Sequence, residues 1–361
     1  MESTNDELDK EDRGSMGGFS CPLPMTEYKN ILLAHGGGGK LTHQLIQQII
    51  LPQFQNKWLE PLHDGAILEV NGTRLAFSTD SYVIDPIFFP GGDIGKLAVN
   101  GTVNDLAMCG AKPLFLSAAF VIEEGLAMEE LWRVVVSMHD AATKAGVELV
   151  TGDTKVVDRG KGDKLFVNTS GIGIVPEGVR IDSQRAAVGD KIIVNGPIAL
   201  HGIAVMSVRE GLEFETEIKS DSAPLNGLVE NMLLACRNIH VLRDPTRGGL
   251  ASALNEIAES AKKGIVINEK DIPIDEEVRG ACEILGLDPL YVANEGKLLA
   301  VVPASEADSV LSAMRAHPRG GVAVIIGEVV DKHQGTVLMK SRIGGSRVVD
   351  MLSGEQLPRI C

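Results

Sequence analysis

Ala66-Ile67-Leu68-Glu69-Val70-Asn71-Gly72-Thr73-Arg74-Leu75-Ala76-Phe77 carries the strongest short hairpin signal in the chain. Two apolar-rich runs flank Asn71-Gly72, a pair that accepts the left-handed backbone of a two-residue turn, so the stretch reads as two paired strands. The pairing carries Asp64 and Asp80 to the outer ends of those strands and places both carboxylates at one edge. Downstream, Gly91-Gly92-Asp93 leads into a helix expected from Ile94 to Met108, with Val99, Val103 and Leu106 as its apolar stripe. Asn100 and Asn104, four apart, share another face beside Asp105. Such polar groups either cap neighbouring backbone or, with Asp105 joining Asp64 and Asp80, belong to an oxygen-rich magnesium site.

Outward from this core the pattern alternates. Leu114 to Ile122 reads as a strand, Met128 to Lys144 as an amphipathic helix closed by Gly146, and Glu148-Leu149-Val150 as a further strand. That strand is expected to deliver Thr151-Gly152-Asp153-Thr154-Lys155 to its end, with Asp153 as a fourth carboxylate and Lys155 a point cation beside it. Lys164 to Val175 closes the sheet. Upstream, His35-Gly36-Gly37-Gly38-Gly39-Lys40 precedes a helix-spaced Leu41 to Ile46. Its glycines either wrap an anion with backbone N–H groups or act as a hinge. The loop lacks Walker A spacing, and Leu41 stands where a magnesium-binding hydroxyl belongs. Residues 1–27 are acidic, contain Cys21, and hold too little apolar surface to offset the entropy of ordering.

A second unit begins near Asp190, with helices expected at Ile198 to Gly211, Leu225 to Arg237, Gly248 to Lys262 and Glu276 to Leu285. Strands interleave near Gly264 to Asn268, Lys297 to Val302 and Val322 to Val330. The whole is α+β in two domains, 28–189 and 190–350, consistent with 361 residues. A net charge of −15 argues against a nucleic-acid groove or an anionic membrane surface as the main partner. Five cysteines without paired spacing argue against a disulfide framework or a zinc site, and the chain reads as cytoplasmic.

Residues 351–361 read as a mobile tail ending in Pro358-Arg359-Ile360-Cys361. A cysteine at the end of a chain looks like a thiol held out for chemistry. Gly354 supplies a swivel, and eleven residue steps from Asp350 give a reach of roughly 35 Å. Such an arm adds about 0.5 kcal/mol or less to stability.

Together, the glycine loop, Ser78-Thr79-Asp80, Asn100-Gly101-Thr102-Val103-Asn104-Asp105-Leu106, Thr151-Gly152-Asp153-Thr154-Lys155, Asp244-Pro245-Thr246-Arg247-Gly248-Gly249, Asn294-Glu295-Gly296 and the terminal Pro-Arg-Ile-Cys resemble the HypE carbamoyl dehydratases of nickel–iron hydrogenase maturation. The acid motifs alone indicate the wider superfamily of aminoimidazole ribonucleotide synthetase, selenophosphate synthetase and thiamine-monophosphate kinase. The cysteine tail singles out the HypE family.

The resemblance implies an aminoimidazole ribonucleotide synthetase-like fold, with the first-domain sheet pairing across a homodimer into a barrel and a second layered α/β domain alongside. It implies that the carbamoyltransferase HypF loads a carboxamide onto Cys361. ATP then activates the amide oxygen, phosphate and a proton are lost to leave a thiocyanate, and the cyano group passes to iron on HypC and HypD. By motif, Asp64, Asp80, Asp105 and Asp153 hold magnesium, while His35, Gly36, Gly37, Gly38, Gly39, Asn104, Asp153, Thr154 and Arg247 meet the nucleotide. Lys155 and Glu295 resemble the family's proton-handling pair. A lysine near its ordinary pKa of ~10.4 is protonated at neutral pH, so Glu295 is favoured as first base and Lys155 as an orienter. The competing readings are a sister ATP enzyme such as selenophosphate synthetase, which would keep a reactive Cys beside the glycine loop, and a non-enzymatic maturation scaffold, which would need the tail but not the carboxylates.

Overall fold

The computed structural model describes residues 28–212, 217–354, 357 and 359–361; the acidic segment 1–27 with Cys21, and Pro358, lie outside the described residues. The glycine loop opens onto two short helices, α1 (Lys40–Leu45) and α2 (Leu51–Phe54). The hairpin β1 (Ala66–Val70) and β2 (Thr73–Tyr82) pairs Val70 with Thr73 and Ala66 with Phe77. Asn71 and Gly72 both take positive φ, 51° and 80°, as the two-residue turn requires. A two-strand ribbon, β3 (Phe88–Phe89) and β4 (Gly92–Asp93), then leads into α3 (Ile94–Met108). The Asp93 side chain caps α3 by accepting from the Gly95 and Lys96 N–H groups. The domain continues through β5 (Lys112–Glu123), α4 (Met128–Ala145), β6 (Glu148–Val157) and β7 (Leu165–Ile174). Its five-stranded sheet runs β1-β2-β7-β5-β6, with only the β5–β6 pair parallel.

Helix α3 has no solvent face to speak of. It packs on β2 and β7 on one side and on α4 and the second domain on the other. Its polar residues are therefore stitched in: Thr102 Oγ1 meets Thr169 Oγ1 at 2.6 Å, and Asn104 Oδ1 accepts from Leu225 N–H at 2.8 Å. Gly101 lets the helix approach the sheet, because a Cβ there would collide with the Tyr82 hydroxyl. The opposite face of the sheet is bare, and Phe77, Phe115, Val121, Ile172 and Ile174 are each 38–44% exposed on it.

The second domain holds β8 (Lys191–Val194), α5 (Leu200–Arg209), α6 (Asn226–Ala235), β9 (Val241–Arg243), α7 (Gly249–Ala261), β10 (Gly264–Asn268), α8 (Glu276–Leu285), β11 (Leu299–Val302), α9 (Ala307–Arg315), β12 (Val324–Val330), β13 (Val337–Lys340) and β14 (Ser346–Val349). Seven strands form one sheet in the order β14-β13-β10-β12-β8-β11-β9. Leu225, Leu228 and Val229 at α6 join the same apolar cluster as Val99, Val103 and Leu106 of α3, so the core runs through the junction between domains.

Two expectations need correction. Thr151-Gly152-Asp153-Thr154-Lys155 does not follow a strand but lies inside β6, the edge of the sheet. Gly152 marks a close approach and not a turn, since a Cβ there would strike the Ala118 carbonyl beside a register shift in the β5–β6 pairing. The tail is likewise docked. Val83 N–H donates to the Cys361 carbonyl at 3.0 Å, Arg359 Nε donates to the Val83 carbonyl at 3.0 Å, and His201 Nε2 lies 2.8 Å from the Ile360 carbonyl oxygen. Arg359 also pairs with Asp163, and Ile360 is only 3% exposed.

A buried isoleucine side chain stabilises by about 1.5–3 kcal/mol, several times the figure expected for a free arm. Because the segment is terminal, it can undock as a unit, and the cost of any substitution in it is capped at the free energy of docking. Ile360→Ala is therefore expected to lower the melting temperature by no more than a few degrees. It should raise the alkylation rate of Cys361, followed by mass spectrometry of the C-terminal peptide, about tenfold or more. An unchanged rate would mean that Ile360 does not hold the tail in place.

Candidate active site

Three carboxylates converge where the domains meet. Asp64 precedes β1, Asp105 lies in the last turn of α3 and Asp244 follows β9; one oxygen from each lies within 4.8 Å of the others. Arg243 Nη1 is 2.6 Å from Asp64 Oδ1, and its Nη2 is 2.5 Å from Glu256 Oε2, whose partner oxygen lies 3.0 Å from His43 Nε2. Ser78 Oγ sits 2.8 Å from both Asp105 Oδ2 and the Asp64 carbonyl oxygen. Asp64 Oδ2 is buried and has no hydrogen-bond partner. One arginine, itself shared with Glu256, thus faces three acids.

The electrostatics follow from that imbalance. Burial, then the charges of Asp244, Asp80 and Asp64, push the Asp105 carboxyl well above the ordinary carboxylate range. Burial and the Asp64 charge push Asp244 up to about 8, against the opposing pull of Arg243. A hard divalent cation with oxygen ligands would replace the protons that these groups otherwise hold, and the orphaned Asp64 oxygen suits such an ion.

Beside the acids lies a cavity of about 160 Å³, lined by Gly36, Gly37, Ser81, Arg247, Arg359 and Cys361 among others. Arg247 Nη2 is 3.8 Å from Asp80, and the charge on Cys361 is the largest influence raising its pKa. Burial pushes the Cys361 thiol up to about 12, with Arg247 opposing and Glu295 adding to the rise. Glu295 is 4% exposed; burial first, then Asp244, Asp80 and Asp221, hold its carboxyl well above the ordinary range.

Two family models cover most of the chain: the AIR synthase related protein N-terminal domain matches residues 62–175 and the C-terminal domain 187–340. The carbamoyl dehydratase HypE of Cupriavidus necator is 52% identical over 345 residues, 95% of this chain and 98% of that protein. The chain belongs to the HypE family. A HypE structure in complex with ATP is 50% identical, covers 92% of this chain and all of its own, and superposes with a TM-score of 0.78. HypE in a HypE–HypF complex is 48% identical, with a TM-score of 0.81 over 85% of this chain and 99% of its own.

Within this HypE-family chain, Asp64, Asp80, Asp105, Arg247, Glu295, Cys361 and the loop Gly36-Gly37 come together. Other expected residues make different contacts within this chain. His35 is buried and turned inward, its Nδ1 accepting from Leu32 N–H at 2.9 Å. Gly38 and Gly39 are packing positions, where a Cβ would strike Arg247 and the Leu352 carbonyl respectively. Asn104 spends its amide on the second domain, donating to the Ala223 carbonyl at 3.1 Å and accepting from Leu225 N–H, so it ties α3 to the junction and is not free to meet a nucleotide. Asp153, Thr154 and Lys155 lie on β6, and Lys155 Nζ is 2.6 Å from Asp153 Oδ1. In register, Asp80 pairs with Thr169, Thr169 with Ala118 and Ala118 with Gly152, which puts β6 three strands or roughly 14 Å from Asp80. Within one chain Asp153 is not a fourth ligand of the acid cluster.

Sequence reading passed over Asp244 as a metal-facing group, because an Asp-Pro-Thr turn before a helix suggests an N-cap. The N-cap of α7 is instead Gly248, at φ 74°. Arg243 and Glu256 gave no local signal, since their roles arise from contacts across the junction.

The raised carboxylates set a pH dependence. In the folded chain Asp244 keeps its proton up to about 8, whereas the ordinary value is 3.8. Stability of the metal-free protein should therefore fall as pH rises through that window and level off above it. Magnesium competes with those protons, so it should raise the melting temperature more at the upper end of the window than in its middle. Asp244→Asn should flatten the slope. Thermal scans across pH with and without magnesium check this, and a magnesium effect independent of pH would remove the acid cluster as its site.

Proposed function

We propose that this chain is an ATP-dependent carbamoyl dehydratase that converts a carboxamide carried on Cys361 into a thiocyanate, the source of the cyanide ligands of the nickel–iron hydrogenase centre. The observation that carries the reading is the enclosure of the terminal Cys361 with Arg247 and Glu295 beside a buried acid cluster and a glycine loop. The names of the related proteins, and the HypE structure with ATP, point the same way.

ATP with magnesium supplies the phosphoryl group that accepts the amide oxygen. Asp64, Asp105 and Asp244, with Asp80 beside them, would hold the metal. The cavity, at about 160 Å³, has room for a carboxamide on Sγ, and Gly36 and Gly37 in its lining would meet the phosphate end of the nucleotide. Val83 N–H and His201 fix the terminal backbone, and so the position of Sγ. Once ionised, Glu295 takes the amide proton; the raised pKa makes that carboxylate a stronger base than an exposed glutamate, while leaving a smaller share of it ionised. Arg247 offsets negative charge growing on the amide oxygen.

A thiol with its pKa at about 12 is almost wholly protonated at neutral pH and is a poor nucleophile. Loading by HypF therefore takes place with the tail withdrawn, and the same withdrawal presents the product to HypC and HypD. We place the chain in the cytoplasm, where its four described cysteines would stay free as they are here. Among the described residues no helix is long and apolar enough to cross a membrane.

The bare apolar face of the first sheet and the open β6 edge support a homodimer. We place Asp153, Thr154 and Lys155 of one subunit at the site of the other, which reconciles their motif with their distance from Asp80. Phosphate release on adding ATP and magnesium should require a carboxamide on Cys361. Glu295→Gln should lower that rate by about a hundredfold while ATP still binds, and equal turnover in the variant would remove Glu295 as the base. Ile172→Asp, placed in the bare face, should yield a monomer by sedimentation velocity and lose turnover. A monomer that remains fully active would refute the shared site.

A further inference from the structure

Along the N-terminal half of α3 a second cleft, of about 530 Å³, opens between the domains. Lys96 and Asn100 of α3, Trp132 and Lys144 of α4 and Arg319 of the second domain line it. Along the helix Lys96 stands nine residues from Asp105, roughly 14 Å at ~1.5 Å per residue, and Asn100 five, roughly 7.5 Å; no residue lines both this cleft and the cavity at Cys361, so the two openings are distinct.

Its charge is unbalanced in a chain that is strongly acidic overall. No carboxylate among the described residues is ion-paired with Lys96, Lys144 or Arg319. Among the described residues, Lys96 Nζ donates only to the Gly91 carbonyl, at 2.6 Å. Lys96, Lys144 and Arg319 line the same cleft, and the pKa of Lys96 is lowered by burial and then by the charges of Arg319 and Lys144, against the opposing pull of Asp93 and Asp221. The acids of the lining are Asp93, which caps α3, and Asp140; Asp221, whose charge also reaches Lys96, is paired with Lys297 at 3.1 Å, so the four cations Lys96, Arg133, Lys144 and Arg319 outnumber the lining's two carboxylates.

At the cleft floor Asn100 is 1% exposed, its Nδ2 donates to Ser222 Oγ at 3.1 Å, and its Oδ1 is buried without a partner. Turning the amide over keeps the Ser222 contact, with the hydroxyl now donating, and presents the Nδ2 hydrogens at the vacant position. Asn100 is thus a buried donor in reserve. On the α4 wall the Trp132 ring is 67% exposed, and next to it Arg133 stacks 4.0 Å from the Phe88 ring centre. The volume falls within the ~300–1,000 Å³ of small-molecule sites.

We propose that this interdomain cleft binds a phosphate-bearing small molecule, with Lys96, Lys144 and Arg319 gathering the phosphate, Asn100 donating from the floor, and Trp132 offering its face to an attached aromatic group such as a nucleobase. A phosphate relieves the repulsion among the three cations and accepts from all of them. An aromatic ring stacked on Trp132 covers surface that otherwise stands in water. The inference does not rest on the dehydratase assignment, because no residue of the cleft belongs to that site.

The chain has two tryptophans, Trp58 and Trp132, so the full-length Trp58→Phe protein reports on Trp132 alone. AMP and inorganic phosphate are titrated by fluorescence against this protein and against the same protein carrying Lys144→Ala and Arg319→Ala, with circular dichroism as the control for folding. The expected result is a saturable change with AMP at millimolar concentrations or below, weakened about tenfold or more in the double variant, and competition by inorganic phosphate. Any nucleotide binding at the acid cluster is common to both proteins and cancels in the comparison. Equal AMP affinity in the two proteins, no saturable change, or AMP binding that phosphate cannot displace would each overturn the proposal. Saturable binding of a polyglutamate peptide with none of AMP or phosphate would overturn it in favour of a docking surface for an acidic protein segment.

Discussion

Three aspartates held against one shared arginine are the constraint around which both domains are arranged. Carboxylates whose oxygens lie within 4.8 Å of one another repel strongly in a region that water does not screen. The chain tolerates them because each is anchored by a different rigid element. Asp64 is fixed by Arg243, Asp105 by the last turn of α3 with Ser78 alongside, and Asp244 by the strand end that also supplies Arg243. Since two of the three elements belong to the first domain and one to the second, the cluster exists only when the junction is closed. That explains why α3 carries Asn104 in an otherwise apolar setting. Its amide bridges to Ala223 and Leu225, and losing it would leave buried backbone groups of the second domain unpaired as well as loosening the acid site.

The docked tail answers to the same junction. It lies between β2 and α5, with Val83 from one domain and His201 from the other each holding a backbone group of the last two residues. These contacts are made to main chain, so they fix where the sulfur sits without depending on what the sulfur carries. A side-chain clamp would have discriminated between a thiol and its carboxamide. The backbone clamp accepts both, which suits a residue that must enter the same pocket in more than one chemical form. Burial raises the thiol pKa and thereby quiets the sulfur while it is inside. The same desolvation strengthens every charge–charge interaction in the pocket.

Local signals in the chain were reliable, and signals that depend on the junction were not. The Asn71-Gly72 turn, the bounds of α4 at Gly146 and the Glu276–Leu285 helix follow from propensity and caps, which act over a few residues. Strands β9, β13 and β14 are three or four residues long, too short for alternation to register. The glycine of Thr151-Gly152-Asp153 misled for a physical reason. Glycine serves turns and close backbone approaches alike, and only the facing strand distinguishes them. The terminal segment misled for a similar one, because glycine and proline mark an irregular path whether that path runs through solvent or across a groove. Asp64, Asp80 and Asp105 were legible as a group since a hairpin and a helix bring them together from adjacent sequence. Asp244, well over a hundred residues later, could be joined to them only by the packed domains.

One further asymmetry separates the two faces of the first sheet. On the α3 side, Ala76, Ser78 and Tyr82 of β2 are buried, and the strand's alternation turns Phe77 outward between them. Phe115, Val121, Ile172 and Ile174 repeat this on the neighbouring strands, so the outward face is as apolar as an interior yet stands open. A sheet patterned for burial on both faces is what parallel or sandwiched sheets show, and a free monomer has no means to supply the second layer. The edge strand β6 compounds this, since it carries its unpaired backbone alongside Asp153 and Lys155. Charge on an edge ordinarily discourages pairing with other chains. Here the two charged groups neutralise each other at 2.6 Å, so they oppose such an approach little and become available to a third group only when something separates them.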